Sequence, residues 1–192
     1  MKKESLLIAV VALIVGLLGG YLVFSISSSG KSQQAATPIP PGSGSPTDYT
    51  QRIAQAEKIV AQDPKNLNAW ISLGNDYFDT EQSQKSINAY GKALEIEPNN
   101  PNILTDQGVM FRKVGWYDKA IVNFEKANKI DPNHLQSLFN IGIVYALDLK
   151  QPEKAAEYWN RYLKMDSTSS TAMQIKSMMS QPGNGMPPAK MK

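Results

Sequence analysis

A period of 34 residues governs the middle of this chain. Pro64, Pro98 and Pro132 follow it, as do Gly74, Gly108 and Gly142. Trp70, Leu104 and Leu138 form a third series, and Tyr77, Phe111 and Tyr145 a fourth. Tyr90 with Phe124, Ala93 with Ala127 and Ile96 with Ile130 recur at the same spacing. Superposed series at one period mean that a single structural unit is repeated, and a repeat array is what the chain can fold into.

The unit reads as two helices. Trp70, Leu73, Gly74 and Tyr77 stand at i, i+3, i+4 and i+7, one face of a helix. Gly74 sits where a second helix must approach closely. Ile87, Tyr90, Ala93 and Leu94 begin a second helical period, which Glu97-Pro98 ends, because proline disfavours helix in the residue before it. Asn100 can then cap the next helix with Pro101 in its first turn. Two helices of about 12–15 residues fit within each period.

The spacing of Trp70, Leu73, Gly74, Tyr77, Tyr90, Ala93 and Pro98 resembles the tetratricopeptide repeat. The second copy carries Gly108, Phe111, Gly115, Tyr117, Ala120, Phe124, Ala127 and Pro132. The third carries Leu138, Ile141, Gly142, Tyr145, Ala155, Trp159 and Tyr162. Three departures stand out. Ser86 replaces the usual alanine, the inter-helix turn of the third copy (147–152) is one residue longer, and Ser167 stands where proline is expected. The resemblance implies an all-α solenoid with repeats at 67–100, 101–134 and 135–168. A repeat cannot bury its faces alone, so the array needs caps. Residues 48–66, with Ile53, Ala56, Ile59 and Val60, read as an N-terminal capping helix. Residues 169–180, with Ala172, Ile175, Met178 and Met179, read as a C-terminal one, and 181–192 as a disordered tail.

In such arrays the first helix of each repeat lines the concave face, so the resemblance places a partner-binding groove there. By position the groove takes Asn68, Ile71, Asn75, Phe78 and Asp79 from the first repeat, and Asn102, Thr105, Val109, Arg112 and Lys113 from the second. The third gives Gln136, Phe139, Ile143 and Leu147. The expected ligand is an amphipathic helix or extended segment, its apolar side chains on Ile71, Phe78, Val109, Phe139 and Ile143 and an acid on Arg112. A subset of the family clamps a C-terminal carboxylate. Asn75 matches one clamp position, whereas Ile71, Asp106, Gln136 and Asn140 stand where basic or amide partners are expected and mostly do not match.

Other chemistry is thinly represented. Cysteine is absent and His134 is the one histidine, which excludes disulfides, thiolate metal sites and multi-histidine sites. No phosphate-binding glycine loop, HExxH or GxSxG occurs, so no catalytic role is expected. The carboxylate pairs Glu95/Glu97 and Asp76/Asp79 read as solvated helix faces. His134 reads as a surface or capping residue, and Trp116, on an inter-helix turn, as a contact point or a packing residue. Met173, Met178 and Met179 suit an apolar contact of the capping helix better than a copper site, and no cofactor is expected. The net charge of +3 sits at the chain ends; residues 48–166 hold 14 basic and 16 acidic side chains. No nucleic-acid footprint is expected.

Residues 5–24 read SLLIAVVALIVGLLGGYLVF, 20 residues without a charge, the length of a membrane-spanning helix. Lys2 and Lys3 precede it, which puts 1–24 down as a cytoplasmic N-terminus and transmembrane anchor with the rest of the chain outside. Ala12, Gly16 and Gly20 stand four apart, and such small residues let two membrane helices dimerise. Residues 25–47 are rich in Ser, Gly and Pro and read as a disordered linker. The expected protein is a bacterial inner-membrane, single-pass adaptor whose repeats face the periplasm and bind a segment of a partner protein. The layout, with the run Ala156-Glu157-Tyr158-Trp159, is similar to the repeat subunits of c-type cytochrome maturation systems. That resemblance implies an apocytochrome or haem-lyase component as partner. The alternative is a scaffold that organises a secretion, pilus or division complex and forms homodimers through its anchor.

Overall fold

Aspartate, proline and asparagine punctuate this chain, and each break has a hydrogen bond that explains it. In the computed structural model, which describes residues 46–180, the main-chain N–H of Lys65, Asn133 and Thr168 donate to the carboxylates of Asp63, Asp131 and Asp166 at 3.1, 2.9 and 3.0 Å. These side-chain turns close one helix and lead to the cap of the next. The Asn66 side chain accepts from the Ala69 N–H, and the Asn100 side chain from Asn102 and Ile103. Ser167 is tolerated in place of proline because Asp166 makes this turn, accepting from Thr168 and Ser169. Those bonds, with one from the Ser169 hydroxyl leading, hold the Asp166 carboxyl below the usual aspartate range.

The described residues form eight α-helices and no strand. They are α1 (Pro46–Gln62), α2 (Leu67–Asp79), α3 (Ser83–Ile96), α4 (Pro101–Lys113), α5 (Tyr117–Ile130), α6 (Leu135–Ile143), α7 (Pro152–Met165) and α8 (Ser170–Ser180). Consecutive helices pack in antiparallel pairs, α2 on α3, α4 on α5 and α6 on α7, and each pair packs on the next. This is an all-helical solenoid of tetratricopeptide type. The turn between the helices of a pair needs one residue in the left-handed region, filled by Glu81 (φ 61°), Gly115 (φ 79°) and Lys150 (φ 55°). The extra residue of the third pair is absorbed as a π-helical turn, Val144–Asp148, which continues α6 before α7 starts.

The glycine series explains the spacing of the core. A Cβ on Gly74 would run into the Tyr90 ring, one on Gly108 into Phe124 and one on Gly142 into Trp159. Each glycine lets the large aromatic of the second helix lie against the first helix, and Tyr90, Phe124 and Trp159 are among the most deeply buried side chains. Ser86 has the place of an alanine because its hydroxyl donates to the Gly74 carbonyl at 2.9 Å, which satisfies it in a fully buried site.

The two ends are covered. On α1, Ala56 and Val60 pack with Ala69, Leu73 and Tyr77, and Arg52 pairs with the buried carboxylate of Asp76. On α8, Ala172, Ile175 and Met179 complete the cluster around Trp159 and Tyr162. Helix α1 begins at Pro46, inside the stretch read as linker. The anchor with Ala12, Gly16 and Gly20, the rest of the linker and the tail 181–192 lie outside the described residues. Among the described residues no helix is long and apolar enough to cross a membrane.

Candidate partner-binding face

Helix periodicity decides which side chains of the first helices stay open. On α4 the packed positions are Ile103, Leu104, Thr105, Gln107, Gly108 and Met110. Asn102, Asp106, Val109 and Lys113, at i, i+4, i+7 and i+11, keep solvent access along one stripe. The matching stripe on α2 holds exposed Asn68 and half-buried Ile71, Asn75, Phe78 and Asp79; α6 adds exposed Gln136 and half-buried Phe139. Leu147, 44% exposed, follows on the π-helical turn. Ile71, Phe78 and Val109 are packed along one edge against the core of the first two repeats and open along the other, and Phe139 packs against that of the third.

Two residues expected on this face are not available to a partner. Thr105 is 2% exposed, among the packed positions of α4. Ile143 is 7% exposed because it belongs to the apolar cluster that α8 completes. The expected role of Arg112 as a free cation also fails. Its Nε and one terminal nitrogen donate to both carboxylate oxygens of Asp148, at 2.5 and 3.2 Å. Lys113 reaches Glu81 at 3.0 Å. Arg112 and Lys113 are therefore both already paired.

The charge left over is negative, which sequence reasoning missed. Asp106 makes no ion pair or hydrogen bond among the described residues, and burial alone pushes its pKa up to about 6. It lies near Tyr90, whose hydroxyl donates to Asn75 Oδ1 at 2.8 Å. Burial and then the negative charges of Asp106, Asp79 and Asp76 push that phenol well above its ordinary value. Asp106 had been noticed only as a mismatch at a carboxylate-clamp position; the available signal was an acid where that clamp needs a donor.

The remaining candidates are structural. His134 caps α6: Nδ1 accepts from the Ser137 N–H at 3.3 Å, and Nε2 faces Asn102 Oδ1 at 3.0 Å. A neutral ring protonated on Nε2 satisfies both contacts, and burial lowers the pKa in the same sense. Glu95 pairs with Lys92, and Asp76 with Arg52. Trp116 packs on Phe111, ring centres 5.8 Å apart, beneath the Lys119 ammonium at 4.3 Å. No group of three or more potential ligands stands ready to hold a metal among the described residues.

A second concavity lies on another side of α2. It is a cleft of about 780 Å³ between α1 and α3, floored by Trp70, Leu73 and Tyr77 and edged by Glu57, Lys85 and Lys92.

Comparison with known proteins agrees with the fold. A family model described as TPR repeat matches residues 74–115, and one described as tetratricopeptide repeat matches 102–134. Anaphase-promoting complex subunit 3 of Schizosaccharomyces pombe is 26% identical over 125 residues, 65% of this chain and 19% of that protein. The heat-shock protein cognate co-chaperone sgt12 of Aspergillus fumigatus is 27% identical over 150 residues, 78% of this chain and 43% of that protein. The chain thus spans less than half the length of either relative. The crystal structure of MamA superposes with a TM-score of 0.62 at 16% identity, covering 68% of this chain and 78% of that one, a likeness of fold alone.

Proposed function

We propose that this chain, which carries tetratricopeptide repeats, is a protein-binding adaptor that receives a partner segment on the face of its first helices. One observation carries the reading. Ile71, Phe78, Val109 and Phe139 are held along one edge by the core and stay open along the other, on successive first helices. Apolar side chains in a rigid row are anchors for a segment that can bury them. Repeats of this kind generally mediate contacts between proteins, and a co-chaperone is among the relatives.

In this reading residues 5–24 tether the adaptor to a bacterial inner membrane, with the repeats on the periplasmic side and 25–47 as the leash. Cytochrome maturation is the pathway we propose for it, with an apocytochrome or haem-lyase component as the partner. The second reading is an envelope scaffold that works as a dimer through Gly16 and Gly20, and the anchor motif alone favours it. Two variants separate them. Val109→Glu with Phe78→Glu should abolish partner binding and leave helicity intact if the face is the site. Gly16→Leu with Gly20→Leu should leave binding intact in an adaptor and abolish function in a scaffold. Binding that survives the first pair refutes the adaptor reading.

A further inference from the structure

The open face of α4 holds a carboxylate without a cation. Asp106 is half-buried on the stripe between Asn102 and Val109, yet no donor among the described residues reaches it. Burying a charge without a partner is unfavourable, and folded proteins keep such groups where something else completes them. The neighbouring cations cannot do so. Arg112 is held by both oxygens of Asp148, and Lys113 reaches Glu81.

The neighbours of Asp106 along this face are apolar. Val109 on α4 and Phe139 on α6, the next first helix, are both half-open, and α4 and α6 are in contact. A carboxylate ligand would meet repulsion from Asp106. A peptide with a basic side chain pairs its ammonium or guanidinium with that carboxylate while its apolar residues cover Val109 and Phe139.

We infer that this face binds a partner segment that presents a lysine or arginine to Asp106, flanked by apolar residues on Val109 and Phe139. This rests on the adaptor reading and gives its partner a chemistry. It reverses the polarity expected from Arg112: the groove selects a base, not an acid.

The test uses the full chain in lipid nanodiscs and three libraries of acetylated, amidated dodecapeptides, randomised except for a central lysine, norleucine or glutamate. The wild type should retain the lysine library at least tenfold better than the norleucine one. Asp106→Asn should bring those two libraries to within twofold of each other, and Asp106→Lys should turn the preference to glutamate. Circular dichroism of both variants checks that they are folded; should Asp106→Lys fail to fold, Asp106→Asn decides alone. Equal retention of lysine and norleucine by the wild type, or an unchanged preference in Asp106→Asn, overturns the inference and leaves the adaptor reading standing. Retention of no library by the wild type overturns the adaptor reading and the inference with it.

Discussion

Replacing Asp106 by asparagine should make the free protein more stable, and only above a definite pH. The carboxyl titrates near 6 in the fold against an ordinary 3.8, with burial as the cause. Its folded pKa is raised, so the native state binds more protons than the unfolded state between those values. Stability linked to this group is therefore gained as pH falls from about 6 to about 4 and is absent above 6, where both states are ionised. About two pH units at 1.36 kcal/mol each give an upper bound of about 3 kcal/mol, and residual solvent access reduces it to about 2 kcal/mol. Asparagine keeps the shape and removes the charge. Urea unfolding followed by circular dichroism should show Asp106→Asn about 2 kcal/mol more stable than wild type at pH 7.5 and equal to it at pH 4. A variant that is less stable at pH 7.5, or a difference that is the same at both pH values, would refute the reasoning.

Other outcomes follow from the packing. Gly142→Ala places a methyl where the Trp159 indole lies, and it should cost about 2–3 kcal/mol by urea unfolding; a loss under 0.5 kcal/mol would show that the indole can move aside. Arg52→Ala leaves the Asp76 carboxylate, 1% exposed, without its cation, and should cost about 3 kcal/mol. Adding Asp76→Asn should recover most of that loss, and hydrogen exchange should place the damage in α1 and α2; no recovery would mean that the pair does not hold α1 in place.

How far the sequence reached depends on the range of each interaction. The Asn100 cap and the close approach of a second helix at Gly74 are set within one repeat, so the period exposed them; which aromatic ring fills each approach came from the structure. Ser86, an apparent misfit, makes sense once its bond to Gly74 is seen. The open stripe on the first helices was legible as a set of positions. Which of its charges are free was not. Arg112 meets Asp148 across 36 residues, and Asp148 lies on the π-helical turn that departs from the period. Arithmetic at 34 residues could not place it, so Arg112 passed for a free cation and Asp106 for a mismatch. Burial of Ile143 had the same origin, since it depends on where α8 docks.

The most direct test of the account is photo-crosslinking in cells from a probe at Val109, with a second probe at Val122, which is 62% exposed on α5. The account predicts a single protein adduct from Val109, lost in the Asp106→Asn background, and none from Val122. Its crosslinked peptide should carry a lysine or arginine beside apolar residues. An adduct from Val122 alone, or one from Val109 that persists without the Asp106 charge, would contradict it.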